Sequence, residues 1–205
     1  MLPPTPPSSH APLHTPRLVL LAPQASDGMV AAVHDYRRRN ARHLAPWDPP
    51  MPADHLQPAV IQARLAEAAQ AMAMNLAWRW WLTQPEAPQR VIGSIALTGL
   101  ERGPFQNAQL GYAIDATCQG QGLMHEALQA VIERVFRPDA LALHRLQAAV
   151  RPDNPRSVAV LERLGFEPIG LARHYLFIDG AWRDHLLFQR LNPGFQTPAA
   201  WQQPA

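Results

Sequence analysis

At 205 residues, 47% of them apolar, the chain is long enough to bury the core of one ordinary domain and too apolar to be disordered. Its formal net charge is only +2, and its basic residues, all arginines, form no long run, which argues against a nucleic-acid-binding protein. The single cysteine, Cys118, excludes an intramolecular disulfide and fits a cytoplasmic protein, and no stretch approaches the roughly 20 apolar residues that span a bilayer.

The first half of the chain predicts one strand, two helices and two further strands. Residues 1–13 are rich in proline and serine and predict a flexible N-terminal segment. A loop over 40–52 separates the two helices, because its prolines interrupt both helices and strand ladders. The apolar patterns place the strands at 17–21, 76–82 and 91–97, and the helices at 25–39 and 55–74.

The second half predicts four strands and two helices. Apolar residues from Leu123 to Phe136 recur every 3.6 positions, as is typical of an amphipathic helix. Asn154 before Pro155 predicts the start of a shorter helix. That helix is expected over 157–164, with strands at 109–115, 146–150, 168–178 and 183–191. Together the elements predict a mixed α/β sheet and not a doubly wound parallel one.

A glycine-rich turn lies between the strand that ends at Asp115 and the long helix. It reads Gln119-Gly120-Gln121-Gly122-Leu123-Met124. Such a turn exposes unpaired backbone N–H groups at the positive end of a helix dipole, which favours phosphate binding. It is not a dinucleotide fingerprint, since His125 stands at the third glycine position, and it is not a Walker loop, since no lysine follows.

Several motifs in this order resemble the GNAT superfamily of N-acetyltransferases, over about residues 14–192. In its acetyl-CoA motif, (Gln/Arg)-x-x-Gly-x-(Gly/Ala), this chain matches at Gln119 and Gly122 and departs at Met124. The likeness is greatest to the RimJ branch of the RimJ/RimL type, bacterial enzymes that acetylate N-termini of ribosomal proteins. The other matching segments are Thr15-Pro16-Arg17-Leu18, Pro46-Trp47-Asp48-Pro49, Leu110-Gly111-Tyr112, His144-Arg145, Asn154-x-x-Ser157, Leu164-Gly165-Phe166-Glu167, Ile178-Asp179-Gly180 and Trp182-Arg183-Asp184-His185.

This resemblance implies a GNAT fold, with a mixed central sheet of about seven strands flanked by about four helices. The domain is expected over 14–192, between the flexible segment 1–13 and a C-terminal tail over 193–205. It also implies acetyl-CoA as co-substrate, with no metal. The expected coenzyme-binding residues are Ile114, Asp115, Ala116, Gln119, Gly120, Gln121, Gly122, Leu123, Met124, Asn154 and Ser157.

The resemblance gives Ser157 a catalytic role, protonation of the leaving thiolate, although a serine at a helix start also serves simply to satisfy free amides. The glutamate that acts as base in the RimL type falls at Leu176, which cannot accept a proton. Tyr175, His174 or a relayed water remain candidates for that role. Trp47, Tyr112 and Tyr175 are expected to contact the acceptor, and Trp47 has an alternative role in packing its loop onto the core.

These expectations favour acetyl transfer from acetyl-CoA to a protein N-terminal α-amine, possibly that of a ribosomal protein. A site without a strong base suits an α-amine, since deprotonation at pH 7 costs about 1 kcal/mol for an α-amine and about 4.6 kcal/mol for lysine. Acetylation of a small amine and a non-catalytic coenzyme-A-binding module remain alternatives. The expected protein is cytoplasmic, a monomer or homodimer, and free of direct contact with nucleic acid or membrane.

Overall fold

The strand-forming stretches assemble into one mixed sheet of eight strands. The computed structural model describes residues 11–201. The strands are β1 (Leu13–His14), β2 (Val19–Leu21), β3 (Trp78–Thr83), β4 (Gly93–Glu101), β5 (Asn107–Ile114), β6 (Arg145–Val150), β7 (Glu167–Ile178) and β8 (Ala181–Leu191). Their order is β1-β2-β3-β4-β5-β6-β8-β7, and only β5 and β6 run parallel.

The predicted fold class is confirmed, with one strand more than the seven expected. The extra strand is β1, whose Leu13 pairs antiparallel with Leu20 of β2. Leu13 was predicted to belong to the flexible segment; residues 1–10 of that segment and residues 202–205 of the predicted tail lie outside the described residues. Ala199–Trp201 of that tail form a short 3₁₀ turn.

Four α-helices lie against the sheet: α1 (Asp27–Leu44), α2 (Pro58–Ala73), α3 (Leu123–Phe136) and α4 (Pro155–Arg163). The prediction that the first helix ends at residue 39 was wrong, since α1 continues to Leu44. Asn40 is buried, and its side-chain amide donates to the backbone oxygen of Tyr36 at 2.9 Å, which lets a polar residue sit inside the helix. The first proline of the loop, Pro46, follows the end of the helix.

The sheet divides the core into two hydrophobic clusters. Leu123, Leu128 and Ile132 of α3 and Leu161 of α4 pack on one face, together with Trp80. The opposite face holds a smaller cluster from α1 and α2, which includes Trp81 and these residues: Met29, Val30, Val33, Tyr36, Ile61, Leu65 and Val91. Trp80 and Trp81 are adjacent in β3, so their side chains point to opposite faces, as strand geometry requires.

The parallel pair β5–β6 opens towards its C-terminal ends. The two strands pair from Asn107 opposite Arg145 to Gln109 opposite Gln147, and no pairing follows, although β5 continues to Ile114 and β6 to Val150. A polar clip closes the last paired position, where Gln147 Oε1 accepts from Asn107 Nδ2 at 3.2 Å and from Gln109 Nε2 at 3.0 Å. Beyond this clip the strands leave a V-shaped opening in the sheet.

Candidate active site

One edge of β5 is open along the V-shaped opening. The N–H of Asp115 donates to the oxygen of Ile92 at 2.7 Å and therefore points towards the β4 side. Peptide groups alternate in direction along a strand. The N–H and C=O groups of Tyr112 and Ile114 thus point the other way, into the opening, where β6 no longer pairs with them. This edge can accept an extended, amide-containing ligand as an additional strand-like partner.

The glycine-rich turn presents a cluster of free donors beside this edge. Gly120 and Gly122 both have φ of 75°, a left-handed conformation that glycine adopts without cost. Glu126 makes the first helical bond, donating to Gly122 O at 3.1 Å. Within residues 11–201, the backbone N–H groups of Gly120, Gly122, Leu123, Met124 and His125 donate to no protein acceptor. These unpaired donors at and beside a helix N-terminus are suited to binding an anion.

Met124, where the family motif has Gly or Ala, is only 6% exposed because its side chain packs in the larger core cluster. Its side chain therefore points away from the turn and leaves the turn's backbone donors accessible. The departure from the motif at this position is compatible with an intact anion site.

Hydrogen bonds from Thr15 and Arg17, before β2, hold the glycine-rich turn in place. The Thr15 hydroxyl donates to Glu126 Oε1 at 2.6 Å, and Arg17 Nε donates to Glu126 Oε2 at 2.6 Å. Arg17 Nη1 also reaches the backbone oxygen of Gln121 at 2.9 Å. The Thr15-Pro16-Arg17 segment thus fixes the first turn of α3 and places a guanidinium beside the free amides.

Asp115 forms the centre of a second polar cluster, which joins α1 to the end of β5. It is 2% exposed, and its carboxylate accepts from Arg39, from Asn40 Nδ2 at 3.2 Å and from both the N–H and the hydroxyl of Thr117 at 2.9 and 2.8 Å. Burial alone would raise the pKa of Asp115, but these hydrogen bonds outweigh burial and lower it to about 2.

This cluster occupies the backbone N–H groups that Asp115 and Ala116 would otherwise present to a coenzyme. The Ala116 N–H donates to Asn40 Oδ1 at 3.0 Å, and the Asp115 N–H is bound to Ile92. Of the strand residues predicted to bind coenzyme, Ile114 therefore keeps its N–H free, whereas Asp115 and Ala116 have theirs engaged. The Gln119 side chain is also engaged, since its Oε1 accepts from Arg156 Nη1 at 2.6 Å.

The structure brings Ser157 and Tyr112 together. Their hydroxyl oxygens lie 2.6 Å apart, and Tyr112 Oη also lies 3.0 Å from the backbone oxygen of Ser157. Asn154 caps α4 by accepting from the Ser157 N–H at 3.2 Å, so the capping task falls to Asn154 and leaves the Ser157 hydroxyl for Tyr112. Burial raises the pKa of Tyr112 to about 12, so its phenol is protonated at neutral pH.

Tyr175 and Trp47 do not join this pair. The Tyr175 ring is exposed and packs against His185 at 5.6 Å between centroids, with no hydrogen bond to Ser157 or Tyr112 in the described chain. Trp47 lies under the Arg151 guanidinium, 5.1 Å from the ring centroid to Cζ, and Arg151 also donates to Pro46 O at 2.7 Å. Trp47 thus holds its loop against the segment that precedes α4.

A cleft of about 870 Å³ opens on the α1 and α2 side of the sheet. We name it the α1–α2 cleft. Its floor contains Trp81, Ser94 and Ala113, which face one another across β3, β4 and β5. Ala113 lies between Tyr112 and Ile114, so the cleft meets the open edge of β5 from the face opposite Ser157. Its charged lining residues include Arg37, Arg64, Arg79, Asp48 and Glu67.

Sequence reasoning missed the residues that build the site from a distance. Arg39 and Asn40 are 76 and 75 positions from Asp115, and Arg17 is 109 positions from Glu126. The family motif near Thr15 and Arg17 was visible in the sequence, but nothing in it indicated the partner. A buried aspartate directly after a strand was the available signal for the cluster around Asp115.

Residues 11–201 show neither a candidate metal site nor a membrane-spanning helix. The described chain contains no group of three or more His, Cys, Asp or Glu side chains placed to hold a metal ion. Nor does any helix in the same range have the length and apolarity needed to cross a membrane.

Comparison with known proteins shows the family. The acetyltransferase (GNAT) domain model matches residues 17–167. The [ribosomal protein uS5]-alanine N-acetyltransferase of Escherichia coli K12 is 38% identical over 186 residues, which cover 91% of this chain and 93% of that protein. The predicted resemblance, including its RimJ branch, is thereby confirmed.

Two solved structures agree with this finding. The ribosomal-protein-S5-alanine acetyltransferase from Vibrio fischeri superposes with a TM-score of 0.84 at 31% identity, over 91% of this chain and 100% of that one. The Mycobacterium smegmatis RimJ, solved in complex with CoA-disulfide, gives 0.80 at 28%, over 93% and 90%. The chain is an N-acetyltransferase and belongs to the GNAT acetyltransferase family.

Proposed function

We propose that this protein transfers the acetyl group of acetyl-CoA to the N-terminal α-amine of a ribosomal protein that begins with alanine, of the uS5 type. The observation that carries the proposal is the 38% identity to the Escherichia coli enzyme over 91% of this chain. A ribosomal acceptor would require a cytoplasmic location.

The free amides fit the coenzyme in two places. The turn from Gln119 to Met124 binds the pyrophosphate through backbone N–H groups, with Arg17 as a flanking cation. The open edge of β5 binds the pantetheine arm, whose amides can pair with the N–H and C=O groups of Tyr112 and Ile114. Acetyl-CoA supplies an acetyl group that its thioester already activates towards amines.

Among the N–H groups of Ile114, Asp115 and Ala116, that of Ile114 is the one free to donate to the thioester oxygen. The Asp115 N–H already donates to Ile92, and the Ala116 N–H to Asn40. A donor in that role typically contributes about 3 kcal/mol to lowering the barrier. Asn154 contributes by holding the start of α4, and with it Ser157, beside Tyr112.

Ser157 and Tyr112 together supply the proton that the leaving sulfur takes up. The Ser157 hydroxyl delivers its proton, and the Tyr112 phenol, protonated at neutral pH, replaces it across the 2.6 Å contact. Tyr175 keeps a secondary place in this proposal, as a residue on the exposed rim that contacts the acceptor chain beyond its first residue.

The test is a transfer assay with peptides that carry the N-terminal sequence of this organism's own uS5. Free-N-terminus peptides that begin with alanine should be acetylated on the α-amine, as located by fragmentation mass spectrometry. Matched controls are the same peptides with a blocked N-terminus and a lysine side chain, and small polyamines. Transfer to lysine or polyamines in preference to the α-amine would refute the proposal.

A further inference from the structure

Asp48 places a carboxylate in the α1–α2 cleft without a protein partner. Its side chain is exposed, lines the cleft, and makes no hydrogen bond or ion pair within residues 11–201. Its position is nevertheless fixed, since its backbone N–H donates to Leu44 O at 3.0 Å and prolines at 46, 49 and 50 surround it. A rigidly held carboxylate that faces open space is suited to a cationic ligand.

The charges around Asp48 come from every wall of the cleft. Partial desolvation by the cleft walls raises the pKa of Asp48, although its side chain stays open to solvent, and Arg37 of α1, Arg79 of β3 and His43 of α1 oppose that shift. The other charged or titratable lining groups are Tyr36 of α1, Arg64 and Glu67 of α2, His55 before α2 and Asp179 of the β7–β8 turn. The lining contains as many acidic residues as arginines, so their formal charges cancel. The cleft as a whole therefore repels neither an ammonium group nor a carbonyl group.

Two buried polar groups in the same cleft also lack partners. Tyr36 and Trp81 are each 3% exposed, and both Tyr36 Oη and Trp81 Nε1 are without a hydrogen bond among the described residues. Unpaired buried polar atoms are costly unless a ligand or water completes them. Both residues line the cleft with Asp48, and this indicates a polar, peptide-like occupant.

The cleft also reaches the place where an acetyl group would be transferred. Ser94 and Ala113 form part of its floor, and Ala113 is flanked by Tyr112 and Ile114 on the open edge of β5. A ligand in the cleft therefore approaches that edge from the face opposite α3 and α4.

From this geometry we infer that Asp48 binds the α-ammonium group of the acceptor's first residue in the α1–α2 cleft and accepts its proton before transfer. The inference rests on the proposed function and deepens it, because it assigns the base that Leu176 cannot provide. The side chains of Arg37 and Arg79 on the same walls make no hydrogen bond among residues 11–201 and are therefore available to the first carbonyl oxygens of the acceptor peptide.

One N–H proton of the α-ammonium moves to a carboxylate oxygen of Asp48, which leaves a lone pair on nitrogen. That lone pair forms the new N–C bond at the acetyl carbonyl carbon, the C–S bond breaks, and the sulfur takes a proton from Ser157. The nitrogen, which still carries two hydrogens after bond formation, loses one of them to cleft water. Ser157 regains its proton from Tyr112, Tyr112 regains one from water, and Asp48 releases its own proton to solvent.

The experiment compares wild type with Asp48→Asn and Asp48→Glu, using an alanine-initial peptide as acceptor. Asp54→Asn is the matched control, since it makes the same chemical change at an exposed position between α1 and α2 that does not line the cleft. At pH 7, Asp48→Asn should lower kcat/KM by about 10²-fold. Asp48→Glu should recover part of that loss, Asp54→Asn should stay close to wild type, and all variants should bind coenzyme A equally.

The pH profile separates proton transfer from a structural role. An α-amine has a pKa of about 7.8 and loses its proton in solution above that pH. The ratio of wild-type to Asp48→Asn activity should therefore shrink steadily from pH 6 to pH 9. A ratio that does not change with pH, or an equal loss in Asp54→Asn, would overturn the inference.

A measurement on the wild-type enzyme alone covers the case in which the Asp48 variants fail to fold. A des-amino peptide, with propionyl in place of the first alanine, should bind at least about 10-fold more weakly than the parent peptide, because it lacks the ammonium group. Equal binding would overturn the role of Asp48. Absence of wild-type transfer to any α-amine would instead refute the proposed function, and thus the two failures are distinguishable.

Discussion

At the residue scale, substitutions of Gly122 can distinguish two requirements of the glycine-rich turn: its backbone conformation and the absence of a negative charge beside its free amides. A Cβ added at this position would meet nothing closer than Arg17 Nη2 at 3.6 Å, so space is available and the restriction is the φ of 75°. Asn and Asp both tolerate this conformation and have nearly the same size. Comparing Gly122→Asn with Gly122→Asp therefore isolates the effect of a negative charge beside the free amides.

We expect Gly122→Asp to bind coenzyme A at least about 10-fold more weakly than Gly122→Asn, through repulsion of the pyrophosphate. Titration calorimetry at two salt concentrations measures this, and the difference should narrow at high salt because ions screen it. Both variants should have similar free energies of unfolding. Equal coenzyme affinity in the two variants would show that the pyrophosphate does not bind at this turn.

In the proposed mechanism the hydroxyl pair of Ser157 and Tyr112 affects turnover and not coenzyme affinity. Ser157→Ala keeps the Asn154 cap of α4, since that cap uses the Ser157 N–H. We expect Ser157→Ala and Tyr112→Phe each to lower kcat by about 10²-fold with little change in coenzyme A affinity. Because one proton path uses both groups, the double variant should be no slower than the slower single variant. Additive losses would show that the two hydroxyls act separately.

At the scale of elements, the cluster around Asp115 anchors α1 to the end of β5. The folded-state pKa of Asp115 is about 2, below the ordinary value of 3.8, so the unfolded chain takes up this proton first as the pH falls. The contribution to stability is complete above pH 4 and is lost as the pH falls towards 2. The shift corresponds to about 2 kcal/mol of unfolding free energy.

We expect urea unfolding of the wild type between pH 5 and pH 2 to show this loss, and Asp115→Asn to show a shallower dependence on pH over that range. Asp139→Asn is the control, since Asp139 is an exposed carboxylate that also pairs with an arginine, Arg137. A pH dependence for Asp115→Asn as steep as that of the wild type would assign the acid sensitivity to other carboxylates.

The same elements show what the sequence could and could not predict. The helix from Leu123 to Phe136 was predictable to the residue, since its apolar stripe is long and the glycine turn marks its start. The opening between β5 and β6 was not, because it depends on where a parallel pairing stops, and no local pattern encodes that register. Asn40 was predicted to begin a loop because its partners, Ala116 and Asp115, lie 76 and 75 positions away.

At the scale of the whole molecule, the sheet separates the two sites proposed for the coenzyme and the acceptor. The glycine turn, α3 and the Ser157–Tyr112 pair lie on one face, and the α1–α2 cleft lies on the other. The two sides meet at the open edge of β5. With the proposed assignments, coenzyme and acceptor would occupy the protein at the same time, with the amine facing the thioester across that edge.

This arrangement predicts a sequential mechanism without an acetylated enzyme. Initial rates measured over a grid of acetyl-CoA and peptide concentrations should give intersecting double-reciprocal lines, whereas a covalent route gives the parallel lines of ping-pong kinetics. The side chain that such a route would most readily acetylate is Cys118, which is 9% exposed and packs in the larger core cluster. Cys118→Ala should accordingly retain the wild-type kcat and the same intersecting pattern. Parallel lines, or loss of activity in a folded Cys118→Ala protein, would require that both substrates use the same face of the sheet in turn.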